Sequence, residues 1–200
     1  GIGQYALSGA TGDKNAALGN SAGAIAKGSA NSVMVGYQAG FHPTGNYNTS
    51  VGDQALAQCT TGDSNTAIGA NALDACTTGH SNTAVGYLSL TANTTGYANT
   101  SSGTESLIGN TTGSYNVGLG YEALKSNTTG DNNIGIGRAG DVITSGSDNI
   151  TIGQDADPSS ATASNQIVIG SGATGHGNNI IVMGNGSATA IHPHDYMLLQ

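Results

Sequence analysis

A parallel β-solenoid of about eleven coils is the fold class this all-β sequence predicts. Glycines recur at Gly3, Gly19, Gly36, Gly52, Gly69, Gly86, Gly103, Gly120, Gly137, Gly153 and Gly170, always 16 or 17 residues apart. Most close an Asn-x-x-apolar-Gly pentapeptide, as in Asn48–Gly52, Asn65–Gly69, Asn82–Gly86, Asn116–Gly120 and Asn133–Gly137. A Thr-Gly or Ser-Gly pair keeps step with them, its glycine (Gly12, Gly45, Gly62, Gly79, Gly96, Gly113, Gly130, Gly146) three residues before the next Asn.

One unit then reads as a short strand (Asn82–Val85), a bend at Gly86, a second short apolar segment (Tyr87–Leu90) and a return turn at Thr94-Thr95-Gly96, so that two strands and two bends make one coil. Side chains alternate along a strand. The expected core pairs are Ile68 with Thr66, Val85 with Thr83, Leu119 with Val117, Ile136 with Ile134 and Ile169 with Ile167. The small residues between them, Ala67, Ala84, Ser101 and Gly118, are the expected contact surface between chains.

The second segment closes the coil with Ala55-Leu56, Ala72-Leu73 and Ala123-Leu124, varied as Ser89-Leu90 and Ser106-Leu107. Asn48, Asn65, Asn82, Asn99, Asn116, Asn133 and Asn149 should stack at one corner. The Thr pairs 60–61, 77–78, 94–95, 111–112 and 128–129 should stack at another, each satisfying turn backbone. So thin a coil buries few aliphatic side chains, and scaffolds this lean commonly oligomerise.

Glycine at 33 of 200 residues and only 8 % charged residues would suggest low complexity, but the periodicity overrides composition. A net charge of −8 disfavours nucleic acid and anionic lipid as partners. No stretch of the sequence is long and apolar enough for a membrane-spanning helix, and membrane insertion is not expected. The chain opens mid-repeat at Gly1-Ile2-Gly3, as a piece of a longer protein would.

Cys59 and Cys76 occupy one repeat position in neighbouring coils. Stacked strands lie ~4.8 Å apart, wide for a disulfide Cβ pair at ~3.8 Å. Two half-buried thiols are therefore expected, with a bridge needing a local shift.

The repeats Asn65-Thr-Ala-Ile-Gly-Ala-Asn-Ala-Leu73 and Asn82-Thr-Ala-Val-Gly-Tyr87 resemble the head repeats of YadA-type trimeric autotransporter adhesins, and similar repeats in bacteriophage tail fibres. The resemblance covers roughly residues 1–184. It implies a left-handed β-roll, three chains side by side, and a rod-like or adhesive role without catalysis, on a virion or a bacterial surface. The unit here is longer than the adhesin one because the Thr-Thr-Gly return loop is extended.

The partners so implied are two further copies of the chain and a glycan or protein of a host-cell surface. Tyr37, Tyr87 and Tyr121, just past anchor glycines, and Tyr47 and Tyr115, just before ladder Asn residues, are the candidate receptor contacts. No cofactor, metal or catalytic residue is expected. Gly135-Ile-Gly-Arg-Ala-Gly140 matches a dinucleotide pattern, but no helical periodicity follows it. Glu105 and Glu122, on adjacent coils, would be the acid pair of a polysaccharide depolymerase, and arrays of Thr would suit an ice- or crystal-binding face. Both are alternatives to the fibre reading. His192, His194 and Asp195 form an incomplete metal set in residues 185–200, read as a cap or linker.

Overall fold

The computed structural model describes residues 1–187; the expected cap or linker and the His192/His194/Asp195 group lie almost wholly outside them. Eleven three-residue strands follow one another: β1 (Ala16–Leu18), β2 (Val33–Val35), β3 (Thr49–Val51), β4 (Thr66–Ile68), β5 (Thr83–Val85), β6 (Thr100–Ser102), β7 (Val117–Leu119), β8 (Ile134–Ile136), β9 (Ile150–Ile152), β10 (Ile167–Ile169) and β11 (Ile181–Met183). Each pairs in parallel with the next, in chain order, so one sheet forms a side of a β-solenoid. The register is that of the repeat, with Thr66 opposite Thr83, Ala67 opposite Ala84 and Ile68 opposite Val85.

Each strand ends at an anchor glycine held in a backbone region closed to other residues. Gly86 has φ +136°, and a Cβ there would lie 2.5 Å from the carbonyl oxygen of Gly103 in the coil above. Only glycine lets successive bends stack this closely.

The second segment is not a strand. Leu56, Leu73, Leu90, Leu107 and Leu124 all take left-handed φ near +54°, and the residues between form a run of tight turns, such as Ser89 N–H to Gly86 carbonyl (3.3 Å). Every second N–H along it reaches out to a neighbouring coil, in opposite directions. Leu88 donates to Ala70 of the preceding coil and Leu90 to Ser106 of the following one, both at 3.1 Å. The curling backbone closes a 17-residue loop that two extended strands would leave too wide.

The leucines fill the coil, and this reverses the expected inside and outside of the strands. Ala67, Ala84 and Ser101 are fully buried, and Gly118 points inward with them. Thr66, Ile68, Val85, Val117, Leu119, Ile134 and Ile136 face outward and stay partly exposed. Ala67, Ala84, Ser101 and Gly118 therefore cannot form a contact between chains. They are small because the leucine column of the opposite side packs on them: a Cβ on Gly118 would sit 3.2 Å from Leu107 Cγ and 2.5 Å from Ser106 Oγ. A one-residue change of phase moves every side chain of a strand to its other face.

The same complementarity explains the exception at β2. Met34 is the large buried residue in the strand column, and the leucine position opposite it is Gly23 and Gly40, whose added Cβ atoms would lie 2.6 Å and 2.8 Å from Met34 Sδ and Cγ. A continuous core runs from Ala55 to Ile143.

The asparagine ladder forms as expected, and it is buried. Asn82 Nδ2 donates to the Gly96 carbonyl (2.9 Å), and Asn82 Oδ1 accepts from the Asn99 N–H (3.0 Å). The first threonines of the Thr pairs also stack, the Thr77 hydroxyl donating to the Thr94 carbonyl and Thr94 to Thr111. Cys59 and Cys76 are fully buried, not half-buried, and free, their sulfurs 3.3 Å apart.

Candidate functional site

The coil interior is filled and the outer strand face carries only apolar, Thr and Ser residues, so the charged and aromatic side chains project from the bends. The bend after each anchor glycine carries Tyr37, Tyr87 and Tyr121, all exposed. The backbone bonds Gln54 to Tyr37, Leu88 to Ala70 and Glu105 to Tyr87 show that Asp53 and Ala70 stand between Tyr37 and Tyr87, and Thr104 between Tyr87 and Tyr121. At ~4.8 Å per coil these tyrosines stand ~10 Å or more apart. They form separate points of contact, not one surface.

Beside Tyr121, Glu122 receives Lys125 Nζ at 2.8 Å, and Lys125 also reaches Asp141 at 3.5 Å. The ammonium and the Tyr121 hydroxyl hold the Glu122 carboxyl below its usual range, and the same carboxylate raises the Tyr121 phenol. Glu122 is thus held as an ionised partner of a lysine, whereas a general acid needs a raised value. Arg138 pairs with Asp155 in the next coils, Nε to Oδ1 at 3.0 Å.

The corner after each return glycine is where aromatic groups meet. The His80 ring stacks on Tyr97, with centroids 5.0 Å apart and planes 16° from parallel, and Tyr97 meets Tyr115 edge to face at 4.9 Å. The neighbouring Tyr115 hydroxyl and the Asp131 carboxylate raise the Tyr97 phenol above its ordinary value. A groove of about 360 Å³ opens here, lined by Tyr97, Thr112, Ser114, Tyr115, Asp131 and Asn132. Tyr47, at the Tyr115 position four coils earlier in the repeat, is exposed and outside this cluster.

Sequence reasoning singled out Tyr115 but missed His80 and Tyr97. Their signal was present: they lie 17 residues apart, each directly after a return glycine. A second groove, about 240 Å³, is lined by Phe41, His42, Gln38, Gln54, Gln58 and Asp74 among others. Burial raises the Asp74 carboxyl, whose Oδ1 has no hydrogen-bond partner.

Among the described residues no cluster of three His, Cys, Asp or Glu side chains has the arrangement of a metal site. No helix among them is long and apolar enough to cross a membrane. No family model matches the chain, and neither the curated proteins nor the solved structures contain a significant match to it.

Proposed function

We propose that this chain is a rigid segment of a trimeric fibre, of the left-handed β-roll kind found in adhesin heads and phage tail fibres, that carries host-surface contacts on its bends. The observation behind this reading is the outer sheet face. It consists of two side-chain columns along all eleven strands, one running Ala16, Val33, Thr49, Thr66 and on to Ile181, the other Leu18, Val35, Val51, Ile68 and on to Met183. No position in either column is charged. At ~4.8 Å per step the face extends ~48 Å, and Leu18, Ile68, Leu119 and Ile136 are each more than a third exposed on it. A strip of that length, uncharged and apolar except at Thr49, Thr66, Thr83, Thr100 and Ser102, is an interaction surface, and a second and third copy of the same in-register face would match it.

Ile136→Asp tests the assembly. The parent should scatter light as a trimer, and the variant as a monomer with an unchanged circular dichroism spectrum, since the side chain lies outside the coil. A monomeric parent would refute trimerisation. Binding of labelled rod to panels of bacterial and animal cells tests the adhesive role, which an absence of binding to every cell would remove.

An ice- or crystal-binding role gains one specific support, because Thr49, Thr66, Thr83 and Thr100 stand in register on the outer face. The column turns to Val117 and Ile134 after four coils. Thermal hysteresis of freezing, absent for a fibre segment, separates the two.

A further inference from the structure

The corner column that follows the return glycines obeys a rule that Ala30, His80 and Tyr97 break. In most coils a short polar side chain in this column accepts the backbone N–H of its counterpart in the preceding coil. Asn46 Oδ1 accepts from Ala30, Asp63 Oδ1 from Asn46, Ser114 Oγ from Tyr97, Asp131 Oδ1 from Ser114 and Ser147 Oγ from Asp131, at 2.6–3.2 Å. His80 and Tyr97 take the next two places after Asp63, and no such bond is made to the N–H groups of Asp63 and His80. The aromatic pair therefore stands where structure alone favours Ser, Asn or Asp. Departures from a local rule without structural gain concentrate at functional sites.

What replaces the ladder is a platform. Tyr97 is held between His80 and Tyr115, and Tyr115, half exposed, offers its ring to the adjoining groove. Around that ring stand neutral or acidic polar groups. Thr112 and Asn132 use their side chains in no hydrogen bond within the described chain, and Asp131 uses one carboxylate oxygen for Ser114 and leaves the other free. The groove has no cationic group in its lining.

From this geometry we propose that the His80–Tyr97–Tyr115 corner, with Thr112, Asp131 and Asn132, binds a neutral hexopyranose unit of a surface glycan. A pyranose presents an apolar C–H face and a rim of hydroxyls that both donate and accept. The Tyr115 ring covers the first, while the carboxylate, amide and hydroxyl meet the second. A volume of about 360 Å³ fits one or two sugar rings. The Asp131 carboxylate and the lack of a Lys or Arg in the lining disfavour phosphorylated and acidic sugars. This rests on the host-contact reading above and names its ligand class.

Saturation-transfer NMR on the full chain tests it, with the methyl glycosides of glucose, galactose and N-acetylglucosamine as probes. At least one should receive transfer, strongest on its C–H face. Tyr115→Ala and Asp131→Asn should each weaken that binding about tenfold, Tyr115→Phe should retain it, and Tyr5→Ala, far along the rod, should leave it unchanged. Circular dichroism verifies that each variant remains folded. No transfer to any of the three glycosides, or transfer insensitive to Tyr115→Ala in a folded protein, overturns the site. The cell-binding assay separates this from the broader reading: a rod that adheres equally well with Tyr115→Ala refutes the site alone. Glycoside binding by a rod that adheres to no cell upholds the site and refutes the adhesive role.

Discussion

Asn99 Oδ1 accepts two hydrogen bonds from Asn116, one from its backbone N–H at 2.9 Å and one from its side-chain amide at 3.2 Å. Asn99 Nδ2 in turn donates to Asn82 Oδ1 and to the Gly113 carbonyl. One buried side chain thus joins three coils and a turn.

Asn99→Ala leaves the Asn116 N–H and the Gly113 carbonyl without these partners, both in buried surroundings. At about 1–3 kcal/mol for each of these two orphaned groups, the loss should be about 2–6 kcal/mol, measured as a lower midpoint in denaturant.

Met34→Ala should open a cavity, since the facing positions are Gly23 and Gly40 and nothing can collapse into the space. The expected cost is about 2–5 kcal/mol. Gly118→Ala makes the opposite error, placing a methyl 2.5 Å from Ser106 Oγ, with an expected cost of about 1–3 kcal/mol. If Gly118 lay at the surface, the same change would be neutral in a thermal melt.

Ser64 is exposed, has φ +59°, and its hydroxyl makes no hydrogen bond in the structure. Left-handed backbone costs a side-chain-bearing residue about 1–2 kcal/mol, and glycine escapes that cost while losing about 0.5–1 kcal/mol to chain entropy. Ser64→Gly should therefore raise stability by about 0.5–1 kcal/mol, a gain that denaturant titration resolves.

Burial raises the carboxyls of Asp74 and Asp157, and each has an Oδ1 without a partner. These groups bind protons more tightly folded than unfolded. They lower stability as the pH climbs from the unfolded carboxyl value, about 3.9, through their raised folded values. Glu122, on the surface and paired with Lys125, acts weakly in the other sense. Asp74→Asn should raise the melting temperature at neutral pH and leave it unchanged in acid, where the wild-type carboxyl is already protonated. An equal shift at both pH values would argue against desolvation as the cause.

Cys59 and Cys76 stand in the interior column that continues as Asn93, Asn110 and Asn127, and like those asparagines each lies against the carbonyl of the glycine three residues on. Their mutual thiol contact lowers one group, Cys59, and raises Cys76 further together with burial. With no exposed sulfur, neither should react with a thiol reagent in the native state, and both should react after unfolding. Rapid native labelling would show that these coils open.

The turns of the second segment were not legible in the sequence, whereas the coil length, the strand before each anchor glycine from Gly19 to Gly170, the asparagine and threonine ladders and the Ala-Leu closure were. Each depends on residues at a fixed separation along the chain, and stacking turns that separation into contact. The phase of the strands was not legible. Thr66-Ala67-Ile68 alternates between small and larger residues, and alternation alone does not say which set is inside. That choice is made by Leu56, Leu73, Leu90, Leu107 and Leu124, which reach across the coil from backbone of left-handed φ and leave room only for Ala, Ser or Gly on the facing strand. The meeting of His80, Tyr97 and Tyr115 was likewise decided by the tertiary structure, because the ring orientations that join them follow from how one corner stacks on the next.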